Sequence, residues 1–125
     1  DELLARADFV TIHLVLSDRT RALIGARELG LMRPDAYLVN TSRGPIVEEA
    51  ALVAALRDHR IAGAALDVFE NEPLPHDHPL LGLHNVVLTP HLGYVTAETY
   101  AIFYADAVED IRAWAAGSPV RVIEG

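Results

Sequence analysis

The chain has 125 residues, with ten Arg, no Lys and eighteen Asp plus Glu, for a formal charge of −8 with six His counted neutral. That is enough chain for one core, and a hydrophobic fraction of 51% is too high for a disordered segment. The acidic balance argues against nucleic acid or an anionic membrane as partner, since both want a basic face.

The residue types that are missing exclude chemistry as well. Without Lys there is no Schiff-base lysine and no P-loop lysine. Without Cys there is no disulfide framework, thiolate nucleophile or cysteine-ligated zinc. A cysteine-free acidic chain fits the cytoplasm. No apolar run approaches the length that spans a bilayer.

Residues 1–8 read as the tail of a helix that starts upstream, so the chain is expected to be a fragment. Residues 9–16 form an unbroken apolar, β-branched run, which predicts a strand buried on both faces. A turn or helix start follows at 17–20. A short helix is expected over 26–32, stopped by Pro34.

Residues 36–40 are the second expected strand, and 41–45 a polar loop. A helix is expected over 48–59. Leu52 and Leu56 lie one turn apart there, and two glutamates sit in the first turn, where the dipole favours them. Residues 63–69 read as the third strand. Residues 70–83 read as loop because of Pro73, Pro75 and Pro79.

Residues 85–89 read as the fourth strand. The longest helix is expected over 96–116, ended by Gly117 and Pro119. Residues 120–123 could add a short strand. The alternation implies an α/β fold, a parallel sheet with helices on its faces.

In open parallel sheets, ligands bind beyond the C-terminal strand ends. Three such ends carry polar groups: Arg43 after the second strand, Asp67 and Glu72 after the third, His91 after the fourth. Arg43 offers a planar fork for a carboxylate. His91 belongs to the one side-chain type suited to proton transfer near neutral pH without large perturbation, and a carboxylate beside it would hold its tautomer. Taken singly, these residues read as a surface salt-bridge partner, a solvated turn and a hydrogen-bonded loop histidine. Together, on one edge, they suit proton transfer on a small anionic substrate. His76-Asp77-His78 reads as a polar turn, and no metal site is expected.

Three segments carry a resemblance: Asn40-Thr41-Ser42-Arg43-Gly44-Pro45-Ile46-Val47-Glu48-Glu49, Ile61-Ala62-Gly63-Ala64-Ala65-Leu66-Asp67-Val68-Phe69-Glu70-Asn71-Glu72-Pro73, and Asn85-Val86-Val87-Leu88-Thr89-Pro90-His91-Leu92-Gly93. In combination and in order they resemble the D-isomer-specific 2-hydroxyacid dehydrogenases. The likeness runs from Asp8 to about Ala116. It implies the C-terminal half of a Rossmann-like, doubly wound parallel sheet of about four strands with flanking helices. Residues 1–95 would be the C-terminal portion of an NAD(P)-binding domain. Residues 96–125 would be a long helix and tail leading back toward a substrate domain.

The resemblance also implies roles. Arg43 would hold the substrate carboxylate, His91 would be the general acid/base, and Glu72 would pair with it. Asp67 would bind the nicotinamide carboxamide. Asn40, Thr41, His13 and Gly93 would line the cofactor. The cofactor would be NAD, with NADP as the alternative, and the substrate a small 2-oxo or 2-hydroxy acid. A homodimer is the expected full-length state.

The chain departs from the family pattern in places. It contains no Gly-x-Gly-x-x-Gly, the loop that cradles a dinucleotide pyrophosphate. Val15 stands where the family usually has proline, and Tyr94 where a small residue is common. Three functions therefore stay open. They are part of a dehydrogenase, a non-catalytic nucleotide-sensing or protein-interaction module of the same fold, and an incomplete product without activity. The isolated 125 residues are expected to be inactive.

Overall fold

The structure is a computed structural model and describes residues 1–123. The apolar and small-residue runs form four strands: β1 (Phe9–Ile12), β2 (Tyr37–Asn40), β3 (Gly63–Leu66) and β4 (Val86–Leu88). They pair in parallel in the order β1-β2-β3-β4. Helix α1 (Glu2–Arg6) precedes the sheet, α2 (Ala26–Leu31) joins β1 to β2, and α3 (Glu49–Arg57) joins β2 to β3. This is the expected Rossmann-like parallel sheet with flanking helices.

One face of the sheet holds the core. Val10, Ile12, Leu38, Ala64 and Leu66 are buried there, alternating along each strand. Leu29 of α2 and Leu52, Val53, Ala55 and Leu56 of α3 are buried as well. Leu38, Ile46, Leu56 and Ile61 have no exposed surface, and each such side chain contributes roughly 1.5–3 kcal/mol by leaving water.

β1 differs from the expectation of a long strand buried on both faces. It stops at Ile12, and its burial alternates. The ladder ends where Ile12 faces Asn40, because β2 leaves the sheet there; beyond it Leu14 and Val15 are exposed, and the Val15 carbonyl accepts from the Thr20 hydroxyl. The outer face of β1 carries Phe9, which is exposed and stacks on Tyr37 with ring centroids 5.5 Å apart. An apolar run marks a strand but does not say how many of its faces are covered.

The proline-rich segment also holds more order than expected. Pro79–Gly82 forms a turn of 3₁₀ helix, whose cap is His78 accepting from the Leu80 N–H through Nδ1 (3.3 Å). Proline is tolerated at a helix's first position because that N–H has no intrahelical partner. A second 3₁₀ turn covers Gly44–Ile46.

Residues up to Leu92 form one compact unit, and the chain from Gly93 onward forms a second. In the second unit, helix α4 (Ala97–Ala115) is capped by Thr96, whose hydroxyl accepts from the Thr99 N–H. The expected strand at 120–123 is not formed. Arg121 instead binds Asp106, Glu109 and Asp110, which ties the tail to α4.

Candidate active site at the C-terminal strand edge

Because all four strands are parallel, the loops after β2, β3 and β4 emerge on one edge of the sheet. Each loop is shaped by a buried or half-buried polar side chain.

Asn40 ends β2 and is buried. Its Oδ1 accepts from the Ser42 N–H (3.1 Å), and its Nδ2 donates to the Arg43 carbonyl (2.9 Å). The Ser42 hydroxyl donates to the Ile12 carbonyl (2.7 Å), tying the loop to β1. Arg43 is thereby presented at the surface, with Nη1 on the Ser42 carbonyl at 2.6 Å. Gly44 follows because nothing larger fits: a Cβ there would lie 2.0 Å from the Phe69 carbonyl carbon and 2.5 Å from the Glu70 nitrogen. That close approach brings the Arg43 loop against the segment leading to Glu72.

Asp67 stands one residue beyond β3 and is 6% exposed. Its N–H donates to the Asn40 carbonyl (3.0 Å). Its Oδ1 accepts from the Thr89 hydroxyl (2.5 Å) and from the Leu92 N–H (2.7 Å). The carboxylate of β3 therefore grips both sides of the loop that carries His91.

Glu72 and His91 meet directly. The imidazole Nδ1 lies 2.8 Å from Glu72 Oε2, while Oε1 accepts from the Phe69 N–H at 2.9 Å. Burial alone would raise the Glu72 carboxyl. The His91 hydrogen bond, the Phe69 N–H and the positive charges of His91 and Arg43 together outweigh it and lower the group below its ordinary value. An ionised carboxylate only accepts, so His91 Nδ1 carries a proton. The pair is about one-third exposed, so substrate-sized molecules can reach it.

Beside the pair lies a cavity of about 500 Å³. Phe69, Leu74, Leu88 and Pro90 give it apolar walls, and Glu72 and His91 its polar end. A second opening of about 410 Å³ runs between the ends of β1 and β2, lined by His13, Leu14, Val15, Leu16, Ser42 and Arg43. His13 Nε2 is 2.9 Å from the Thr11 hydroxyl. Thr41 lies exposed on the same loop as Arg43. Gly93 begins the second unit.

Glu72 and His91 thus stand in direct contact, and the Arg43 charge acts on Glu72 from the loop after β2. Sequence reasoning missed Thr89, Ser42 and Gly44. Their only signals were a hydroxyl at a strand end, a hydroxyl in the loop, and a glycine between arginine and proline. It also read His78 as a polar turn residue. In the structure its Nε2 is 2.9 Å from Glu49 Oε1, and Glu49 Oε2 accepts from the Glu70 N–H at 3.4 Å. Glu49 therefore anchors the Glu72 segment to the start of α3.

Residues 1–93 match the D-isomer specific 2-hydroxyacid dehydrogenase, NAD binding domain. The chain is 50% identical over 117 residues to the glyoxylate/hydroxypyruvate reductase B of Enterobacter agglomerans, covering 94% of this chain and 36% of that protein. It is 52% identical over 117 residues to the glyoxylate reductase of Aeropyrum pernix, covering 94% of this chain and 35% of that one. A crystal structure of a D-isomer specific 2-hydroxyacid dehydrogenase from Xanthobacter autotrophicus Py2 superposes with a TM-score of 0.84 at 44% identity, covering 96% of this chain and 39% of that one. The chain spans little more than a third of the length of the relatives it matches. By the match over residues 1–93 and these likenesses, the chain belongs to the D-isomer specific 2-hydroxyacid dehydrogenases.

Proposed function

We propose that the protein containing this chain interconverts a small 2-oxo acid and the corresponding D-2-hydroxy acid with NAD or NADP. The observation that carries this reading is the ionised Glu72 on His91 Nδ1, with the Arg43 charge beside it at the C-terminal strand edge.

The residues divide the work. Arg43 pairs with the substrate carboxylate and polarises the 2-oxo group through its planar fork. Glu72 holds the imidazole so that Nε2 exchanges the proton with the substrate oxygen. The nicotinamide, when bound, supplies or takes the hydride. Asp67 serves the carboxamide, and Thr41, His13 and Gly93 line the cofactor. The donor set fits such a group: a buried carboxylate at a strand end and an open groove lined by His13 and Ser42 at the adjoining ends. Asn40 serves through the loop it shapes.

Two relatives are named for glyoxylate or hydroxypyruvate reduction, so these acids are the first substrates to test. The family likeness supports a homodimer and residues 96–125 leading toward a substrate domain. The composition supports a cytoplasmic setting. No helix among the described residues is long and apolar enough to cross a membrane.

The test is NADH and NADPH oxidation by the full-length protein with each acid. Turnover that disappears in His91→Asn supports the reading. Cofactor binding without turnover of any 2-oxo acid would favour the nucleotide-sensing alternative.

A further inference from the structure

His91 carries a backbone that side chains rarely adopt, with φ at +57°. Such a conformation persists only where its surroundings over-determine it. Here the surroundings are specific. Thr89 and Leu92 flank the Pro90-His91 step, and both donate to one oxygen of one buried carboxylate, Asp67 Oδ1. The Thr89 contact, at 2.5 Å, is the shorter of the two. The Thr89 N–H also donates to the Leu66 carbonyl at 3.0 Å, so the residue is anchored on β3 by both backbone and side chain. His91 is thus set by two staples to β3 and by its own bond to Glu72.

We propose that Thr89 is a positioning residue for His91, acting through Asp67. It fixes the direction of the imidazole, and so the Nδ1–Glu72 hydrogen bond, by locking the loop that carries the ring. The inference rests on reading His91 as the proton-transfer group. It gives Asp67 a second duty, orienting the acid as well as serving the cofactor. Thr89 lies outside the buried core, at the wall of the cavity beside His91, so its replacement leaves no core cavity.

The experiment uses full-length protein with ¹⁵N-labelled histidine and no cofactor or substrate. It reads the ¹⁵N shift of the His91 Nδ1, assigned by its loss in His91→Asn. Thr89→Val, which keeps the shape and removes the hydroxyl, is expected to move that shift toward the average of two tautomers. Thr89→Ser, which keeps the hydroxyl, is expected to match the natural protein. In turnover, Thr89→Val is expected to lower kcat about ten- to a hundredfold with the cofactor KM unchanged, the size of effect a misplaced group produces. Thr89→Ala gives the same readout if the valine variant does not fold. An Nδ1 shift unchanged by removing the hydroxyl overturns the proposal, and so does a serine variant that behaves like valine. Because the shift is read without turnover, an inactive protein whose shift still moves refutes the dehydrogenase reading and upholds the positioning role.

Discussion

Glu72 and His91 are nineteen residues apart in sequence and 2.8 Å apart in space, carboxylate Oε2 to imidazole Nδ1. Three features make this possible: parallel strands that end on one edge, a Phe69 N–H that orients the carboxylate, and a left-handed backbone that turns the ring toward it. Glu72→Gln keeps the shape and removes the charge. It is expected to lower kcat of carbonyl reduction about a hundredfold, the lower end of the range for losing assisted proton transfer. Steady-state kinetics on the full-length variant check this.

The same pair predicts a pH dependence of stability. The Glu72 carboxyl is held below its ordinary value in the folded state. A lowered folded value means that its contribution is present above the ordinary glutamate range. It is lost as pH falls through that range to the folded value. Denaturant midpoints measured from neutrality into acid should decline less steeply in Glu72→Gln than in the natural protein. The pair is about one-third exposed, so the difference is modest.

Arg43 should separate binding from folding. Its guanidinium is exposed and donates to the neighbouring Ser42 carbonyl, so Arg43→Ala should leave the melting temperature nearly unchanged. Hydrogen bonds to a charged partner contribute about 1.5–3 kcal/mol, which predicts a rise in the 2-oxo acid KM of about ten- to a hundredfold. Arg43→Lys should recover little of it, because an ammonium lacks the planar fork. KM values and thermal melts on both variants decide.

Gly44 makes the opposite prediction. A methyl group there meets Phe69 backbone at 2.0 Å, and neither backbone segment can rotate away as a side chain could. Gly44→Ala should cost about 1–3 kcal/mol, as overpacking does, and should also raise the substrate KM by moving Arg43 from Glu72. A melting temperature equal to that of the natural protein would contradict the close approach.

Asn40 should resemble Gly44 more than Arg43. Its buried carboxamide satisfies Ser42 and Arg43 at once. Asn40→Ala leaves those groups without partners and should cost about 1–3 kcal/mol. Asn40→Asp keeps the acceptor for Ser42 but sets a buried carboxylate oxygen against the Arg43 carbonyl, and should cost at least as much, as read by denaturant titration.

Much of the fold and site is legible in the sequence, for reasons that differ by residue. Arg43, Asp67, Glu72 and His91 each follow a strand, so a parallel sheet alone sends them to one edge. Leu52 and Leu56 show α3 by their spacing. The one-sided burial of β1 is not readable, because Phe9 and Val10 are alike in an apolar count and only the partner decides which is covered. The inward turn of Asn40 and the Asp67–Thr89 bond are hidden for another reason. Each depends on a loop closing back on its own strand or on the next one, at a scale finer than any period. The extended tail around Arg121 follows acidic residues on α4 rather than its own apolar run.

In the proposed reading, Glu72, His91 and Arg43 form a working acid–base and carboxylate site in the full-length protein. The most direct test compares kcat/KM for glyoxylate reduction, with NADH and with NADPH, between that protein and its His91→Asn variant. Turnover with at least one cofactor is expected, with a loss of about a hundredfold or more in the variant. Turnover that is indifferent to His91 would contradict it.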